Sequence, residues 1–175
     1  MTAVRRIAAA TMLAALAGLS APSAYAAAPA TDDAPFLKAI HQGNLAEIAA
    51  GRSARKNAKA ACVKSAGATL VRDHSKLDVG VKALASTLHV TLSPSPSSVQ
   101  EKAMTAMQAN VGTSAYDTNW LTTETRTREE TLALIDRETA TGGNAEVKSA
   151  ARAARPVVAK HLELIRACEA RTKRS

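Results

Sequence analysis

Between residues 63 and 88, the sequence repeats an apolar side chain at every third or fourth position. This spacing is typical of an amphipathic helix, because 3.6 residues complete one turn and these positions then share one face. The stripe consists of Val63, Ala66, Leu70, His74, Leu77, Val81, Leu84 and Leu88. His74 therefore occupies a position at which an apolar residue is expected.

Three other segments carry similar stripes, so the sequence predicts four long helices. The first begins after Asp33, and the second, which contains His74, ends near Leu88. The third runs from about Ser114 to about Thr139, and the turn TGGN separates it from the fourth. Aromatic residues are scarce and alanine is abundant, which favours closely packed helices. We therefore predict an all-α fold in which four helices of similar length form a bundle.

The connection between the second and third helices contains a short helix of its own. It begins with HVTLSPSPSS, whose prolines and serines cannot continue a helix. Ser98, followed three residues later by Glu101, predicts a capping box at the start of the short helix. Gly112 is expected to close this helix.

The first 26 residues have the pattern of a secretory signal peptide. Two arginines precede an apolar run from Ile7 to Leu19, and the cleavage-type triplet AYA ends at Ala26. The run is shorter than the ~20 apolar residues of a membrane-spanning helix, so export is favoured over a membrane anchor. We predict that the mature chain has no transmembrane segment and is periplasmic or extracellular.

Cleavage near Ala26 divides the chain into four parts and leaves 149 of its 175 residues. Residues 1–26 are the predicted signal peptide, and residues 27–32 are expected to be a disordered mature amino terminus. Residues 33–170 form the predicted bundle domain, which is long enough to bury a core. Residues 171–175 are a basic tail.

The charge pattern argues against nucleic-acid binding. Removal of the two arginines in the predicted signal peptide lowers the formal net charge from +8 to +6. The remaining cations are spread over helix faces with very few aromatic residues, unlike a nucleic-acid surface. The tail RTKRS is typical of a solvated helix end, and its alternative role is attraction to an anionic envelope surface. We therefore predict no nucleic-acid partner, and an unidentified component of the cell envelope is the possible partner.

Each predicted long helix carries an ionisable residue on its stripe. These residues are Glu47, His74, Glu124, Arg128 and His161. If they converge, they form a candidate ligand site, in which Glu47, His74, Glu124 and His161 are the residue types that hold a divalent metal. The favoured alternative is an ionic network without metal, in which Arg128 pairs with Glu47 or Glu124. No cofactor is therefore expected, and a divalent metal is the weaker alternative.

Motifs of known enzyme classes are not evident in this sequence. Glu-x-x-His, which di-iron bundles use, does not occur, and no serine elbow is recognisable. Asp73 points about 100° away from His74 around the helix, so it is not expected to orient that imidazole. His41 and His89 lie at the margins and are expected to be exposed. We assign no catalytic residue and favour a non-enzymatic class.

Two cysteines, Cys62 and Cys168, are expected to form a disulfide, because a lone pair in an exported protein favours one. The alternative is two separate buried thiols. Cys62 begins the second helix and Cys168 ends the fourth, so the bond requires these helices to be antiparallel. Simple up-down-up-down order would make them parallel. The connection between the second and third helices must then cross the bundle, as in a ferritin-like four-helix bundle with one long crossover.

Four segments of the chain resemble a known bacterial family. FLKAIHQGNLAEI, VRDHSKL, SAYDTNWL and RPVVAKHLELIRA are similar, in order and spacing, to the exported helical proteins of domain of unknown function 4142. The resemblance spans about residues 33–168 and implies a ferritin-like bundle, with the loose label of predicted outer-membrane proteins and no stated activity. The family's polar positions correspond to Glu47, Asp73, His74 and His161, whereas a further family histidine corresponds to Arg128.

The sequence thus predicts an exported helical-bundle module of the cell envelope that binds or interacts with an unidentified partner. The alternative is a metal-handling ferritin-like bundle, in which inner glutamates and histidines hold a divalent ion.

Overall fold

The computed structural model of the protein describes residues 32–113 and 115–174. The predicted signal peptide and residues 27–31 lie outside these ranges. Within the described residues, the structure has five helices and no strand. They are α1 (Ala34–Asn57), α2 (Ala61–Thr87), α3 (Ser98–Gln108), α4 (Ala115–Thr141) and α5 (Ala145–Thr172). The predicted all-α class is therefore confirmed, and α5 continues two residues into the predicted basic tail.

The four long helices form two hairpins, α1 with α2 and α4 with α5, that pack against each other. The predicted disulfide between Cys62 and Cys168 is present, with the two Cα atoms 5.7 Å apart. It joins the start of α2 to the end of α5, so these helices are antiparallel. The chain from the end of α2 to the start of α4 consequently crosses the length of the bundle, and α3 lies within this crossover. The predicted crossover topology is confirmed.

Each interhelical turn is held by a carboxylate from the opposite hairpin. Asp117 in the first turn of α4 accepts hydrogen bonds from the backbone N–H groups of Lys59 and Ala60, between α1 and α2. At the other end, Asp33 accepts from the N–H groups of Gly143 and Asn144, at 2.8 and 2.6 Å. These bonds satisfy backbone donors that helix ends leave free, and they fix the register of the hairpins.

Glycines allow α1 and α2 to approach unusually closely. A Cβ atom added to Gly51 would lie 2.6 Å from the carbonyl oxygen of Gly67, and one added to Gly67 would lie 2.7 Å from the carbonyl oxygen of Gly51. Neither position accepts a larger side chain without movement of the backbone. This contact brings the polar side chains of α1 next to those of α2.

The hydrophobic core has two halves, separated by a polar layer. The half beside the disulfide includes Leu70, Trp120 and Ile165. The other half includes Phe36 and Ile135. The polar residues Glu47, His74, Glu124, Arg128 and His161 lie between these halves along their helices and are all buried. Positions predicted from the stripes therefore share one level of the bundle.

The capping box of the short helix was predicted one residue too late. The cap is Ser97, whose side chain accepts from the N–H of Gln100, while the Gln100 side chain accepts from the N–H of Ser97. Glutamine serves in a capping box as well as glutamate, so both Ser97–Gln100 and Ser98–Glu101 fit the pattern. The extended backbone of Ser97 decides between them, because Ser98 is already helical.

The prediction that His41 is exposed was wrong, whereas His89 is exposed as expected. His41 is buried, and its Nδ1 atom lies 2.6 Å from the carboxylate of Asp78 on α2. Its Nε2 atom donates to the backbone carbonyl of Ser93 in the crossover. The crossover covers the margin of α1 and gives the imidazole a buried position that periodicity within α1 does not reveal.

Candidate functional site

The five polar residues predicted from the stripes lie together in the bundle, and we call them the inner cluster. They are Glu47 on α1, His74 on α2, Glu124 and Arg128 on α4, and His161 on α5. Each is at most 4% exposed to solvent. Polar groups this deeply buried require partners, because an unpaired buried charge is costly. Their contacts therefore decide what the cluster can do.

Arg128 is the charged centre of the inner cluster. Its Nη2 atom donates to the Glu47 carboxylate at 2.5 Å and lies 3.0 Å from the Glu124 carboxylate. The contact with Glu124 is an ion pair only, because its geometry does not meet the criteria of a hydrogen bond. Guanidinium groups keep their proton in proteins, so a positive charge is fixed at this level of the bundle. Both partners that the sequence suggested for Arg128 are thus in contact with it.

The pKa values of the two carboxyl groups beside Arg128 are shifted in opposite directions. Burial raises the pKa of Glu124 well above its usual range, and the negative charge of Glu47 raises it further. Burial acts on Glu47 in the same direction, but the charge and hydrogen bond of Arg128 outweigh it and hold the Glu47 pKa low. Near neutral pH, Glu47 is therefore ionised, and Glu124 is the carboxyl group whose pKa is shifted towards the protonated form. The negative charge of Glu47 balances the positive charge of Arg128.

The two histidines of the inner cluster are neutral and close together. Burial lowers the pKa of His74 to about 4, and it also lowers that of His161. Their ring centroids are 5.3 Å apart. Each ring is oriented by one hydrogen bond, from His74 Nδ1 to Asn44 at 2.8 Å and from His161 Nε2 to Asp73 at 3.0 Å.

Asp73 and Asn44 were not included in the predicted cluster, although both orient its histidines. The hydrogen bond that orients His74 comes from Asn44 and not from Asp73, as expected from the helix geometry, and Asp73 instead reaches across to His161 on α5. Hydrogen bonds from Arg72 hold the pKa of Asp73 at about 2, so this partner is a carboxylate. Asn44 lies three positions before Glu47, on the same face of α1, so helical spacing was a usable signal for it. No periodic signal identifies a contact between α2 and α5.

Three nitrogen atoms of the inner cluster lack a protein hydrogen-bond partner. They are Nε2 of His74, Nδ1 of His161 and Nε of Arg128. The hydrogen bonds to Asn44 and Asp73 place the protons on the other ring nitrogens, so the two free imidazole nitrogens are acceptors. Arg128 Nε is a donor. Atoms of this kind usually bind ordered water or a small polar ligand.

The inner cluster does not fit a divalent metal. Within residues 32–113 and 115–174, no group of three or more His, Cys, Asp or Glu side chains is placed to hold a metal ion. Glu47 is hydrogen-bonded to Arg128, and Glu124, whose pKa is raised, lies 3.0 Å from the same guanidinium. The fixed charge of Arg128 also lowers the pKa of both histidines, so it disfavours a second cation beside them.

An apolar cavity, which we call the inner cavity, lies beside the inner cluster. It has a volume of about 250 Å³ and reaches His74 and Asn44 at its polar side. Its apolar walls come from all four long helices and include Phe36, Ile40, Val81, Leu84, Ile135 and Val158. Exposed lining residues on α2 and α5, including Gly80 and Ala153, place its mouth between these helices.

A second depression, the outer groove, adjoins the mouth of the inner cavity. Its volume is about 620 Å³, and it runs along the surface between α2 and α5. Its lining includes Thr69, Arg72, Lys76, Val157, Lys160 and Leu164. Lys76 and Leu77 line both spaces, so the groove and the cavity are adjacent.

The fold and site define a disulfide-linked four-helix bundle with a buried ionic layer and an apolar cavity. Residues 18–168 match the family described as domain of unknown function (DUF4142), and the chain belongs to this family. This agrees with the resemblance seen in the sequence. Comparisons with curated proteins and with solved structures gave no match. Among the described helices, none is long and apolar enough to cross a membrane.

Proposed function

We propose that this protein is an exported binding module of the cell envelope that holds a small apolar or amphipathic molecule in the inner cavity. The observation that carries the proposal is the cavity itself, with about 250 Å³ of space between the four long helices. Ligand pockets in bundles are largely apolar with a few polar groups, as the walls and the His74–Asn44 side are here.

Export is supported by two independent features. The first 26 residues have the order of charges, apolar run and small-residue triplet that a signal peptidase requires. The disulfide between Cys62 and Cys168 is of a kind that persists in oxidising compartments such as the periplasm. Both features favour an envelope or extracellular location.

The inner cluster supports a binding role better than metal handling or catalysis. Its ionised groups are committed to each other, since Arg128 pairs with Glu47, and its neutral His161 donates to Asp73 outside the cluster. Such a network specifies how the four helices align, because its hydrogen bonds form only in one register. Because His74 belongs to this network and also lines the inner cavity, the network holds the polar side of the cavity in place.

Ligand binding can be tested with toluene, a neutral probe of suitable size, by nuclear magnetic resonance of the isotope-labelled mature protein. We expect saturable shifts at Val81 and Ile135, which line the cavity, and none at Ile165 in the core half beside the disulfide. The absence of saturable shifts at the cavity residues would contradict the binding function.

Export can be tested separately by expression of the full chain with its own amino terminus, followed by fractionation and mass spectrometry. We expect mature protein beginning near Ala27 in the periplasm or medium. An uncleaved chain retained in the cytoplasm would contradict export.

A further inference from the structure

We propose that the ligand is an amphipathic anion with a single alkyl chain, whose chain occupies the inner cavity and whose anionic head group lies at Lys76 and Lys160. This inference rests on the proposed function, because it names the ligand class of the same cavity. It combines three observations: the apolar walls, the small residues at the mouth, and two lysines without an ion pair beside that mouth.

The inner cavity is suited to an alkyl chain. Its volume of about 250 Å³ exceeds the ~150 Å³ of an apolar engineered cavity that binds benzene. Of its polar lining residues, His74 and Asn44 are hydrogen-bonded to each other, and His74 Nε2 is left without a protein hydrogen-bond partner. A ligand that penetrates this space therefore meets mainly aliphatic and aromatic carbon, and it gains free energy by removing its own apolar surface from water.

Small residues keep the mouth open. Gly80 lies inside α2, where glycine is less favourable than alanine. Unlike Gly51 and Gly67, it has no close neighbour that would exclude a side chain, since nothing lies within 4 Å of a Cβ built there. On the facing helix, Ala150, Ala153 and Ala154 line the same cavity. Small side chains therefore leave a gap between α2 and α5 where the cavity reaches the surface.

The charges beside this mouth favour an anion. Lys76 lines both the inner cavity and the outer groove, and Lys160 lines the groove on the opposite helix. Both are exposed, and neither forms an ion pair with a residue in the described part of the chain. The carboxylate that also lines the groove, Asp73, is engaged by Arg72 and His161. An anionic head group would pair with the two ammonium groups, whereas a cationic one would be repelled.

The experiment is isothermal titration of the mature, disulfide-bonded protein with three probes that share a ten-carbon chain, each below its micelle concentration or solubility limit. The probes are decanoate, neutral decanol and cationic decyltrimethylammonium. We expect one decanoate per chain, at least ten-fold weaker binding of decanol, and still weaker binding of the cation. Equal affinity for decanoate and decanol would overturn the anionic assignment while leaving the binding module intact. Binding of none of the three would overturn the alkyl-chain ligand, whereas the binding function itself stands or falls with the toluene measurement.

Two sets of variants locate the site. Ala154→Leu fills the cavity and should weaken decanoate binding at least ten-fold, whereas Ala167→Leu, on an exposed face of the same helix, should not. Gly80→Leu narrows the mouth at a position with open space, so it should give the same loss in a folded protein. Unchanged binding in both Ala154→Leu and Gly80→Leu would overturn the cavity as the site.

The role of the lysines is tested by the double variant Lys76→Gln with Lys160→Gln. It should bind decanoate about ten-fold more weakly and leave decanol binding unchanged. Lys64→Gln, an exposed lysine on α2 that lines neither space, is the matched control. Equal decanoate affinity in the double variant and the control would overturn the contact with the two lysines.

Discussion

The guanidinium of Arg128 lies 2.5 Å from the carboxylate of Glu47, although the residues are 81 positions apart and belong to different hairpins. Both side chains are almost completely buried, so each depends on the other for its charge balance. Glu124 completes the arrangement, and its pKa is raised by burial and by the negative charge of Glu47. The consequences can be measured as changes in stability, pH dependence and metal affinity.

Replacement of Arg128 by alanine should strongly destabilise the protein. The change leaves Glu47 buried without its cation, and breaking a buried pair in this way costs about 3 kcal/mol or more. Arg126→Ala is the matched control, because Arg126 pairs with Glu130 on the exposed face of the same helix. That variant should change the free energy of unfolding by less than ~1 kcal/mol. Urea unfolding at pH 7 measures both, and similar losses would contradict the central role of Arg128.

The two glutamates beside Arg128 should respond differently to the same substitution. Glu124→Gln replaces the carboxyl group whose pKa is raised by a neutral side chain that can donate a hydrogen bond, so we expect a loss below ~1 kcal/mol. Glu47→Gln removes the carboxylate that balances Arg128, so the loss should be at least ~2 kcal/mol. Urea unfolding of the two variants at pH 7 gives the comparison. A larger loss of stability in Glu124→Gln than in Glu47→Gln would show that Glu124, and not Glu47, carries the negative charge.

His74 should make the protein less stable as the pH falls from 6.5 towards 4. Burial lowers its pKa from 6.5 to about 4, so in this window the unfolded chain binds a proton that the folded chain does not. The linked loss in the free energy of unfolding is about 3 kcal/mol at most. His74→Gln should flatten the pH dependence, whereas His89→Gln, at an exposed histidine, should not. The measurement is urea unfolding at several pH values. An equal slope of the free energy of unfolding against pH in the two variants would contradict the shifted pKa.

Arg128→His should convert the inner cluster into a metal site. The substitution removes the fixed positive charge and adds a third imidazole near His74 and His161, whose rings are 5.3 Å apart. Three histidines with nearby carboxylates match the ligand preference of zinc. Isothermal titration should show tighter zinc binding than in the wild type or in Arg126→His. No gain would mean that the three positions do not share one space.

Removal of the disulfide should lower stability without changing the topology. The bond closes a loop with a sequence separation of 106, which in the chain-entropy model corresponds to roughly 4 to 5 kcal/mol as an upper value. The double variant Cys62→Ser with Cys168→Ser measures this loss by urea unfolding. Peptide mapping without reductant should find the cross-linked peptides in exported protein. Two free thiols in that material would contradict the bond.

Much of the architecture follows from local sequence patterns. Periodic apolar positions predicted the four long helices, and the same stripes identified the inner cluster. Cys62 and Cys168 added one long-range constraint, from which the antiparallel arrangement of α2 and α5 and the crossover follow. These inferences succeed because helical periodicity depends on residues three or four positions apart, and because a covalent bond restricts the allowed topologies.

Only the tertiary structure decided which partners the polar side chains find. The burial of His41 depends on Ser93 in the crossover, 52 positions away, and the orientation of His161 depends on Asp73, 88 positions away. The choice of Ser97 over Ser98 as a cap depends on backbone conformation, since both fit the pattern. The inner cavity is likewise a product of how four helices meet. The sequence specifies each helix through local spacing, whereas these contacts and voids exist only after distant segments have packed.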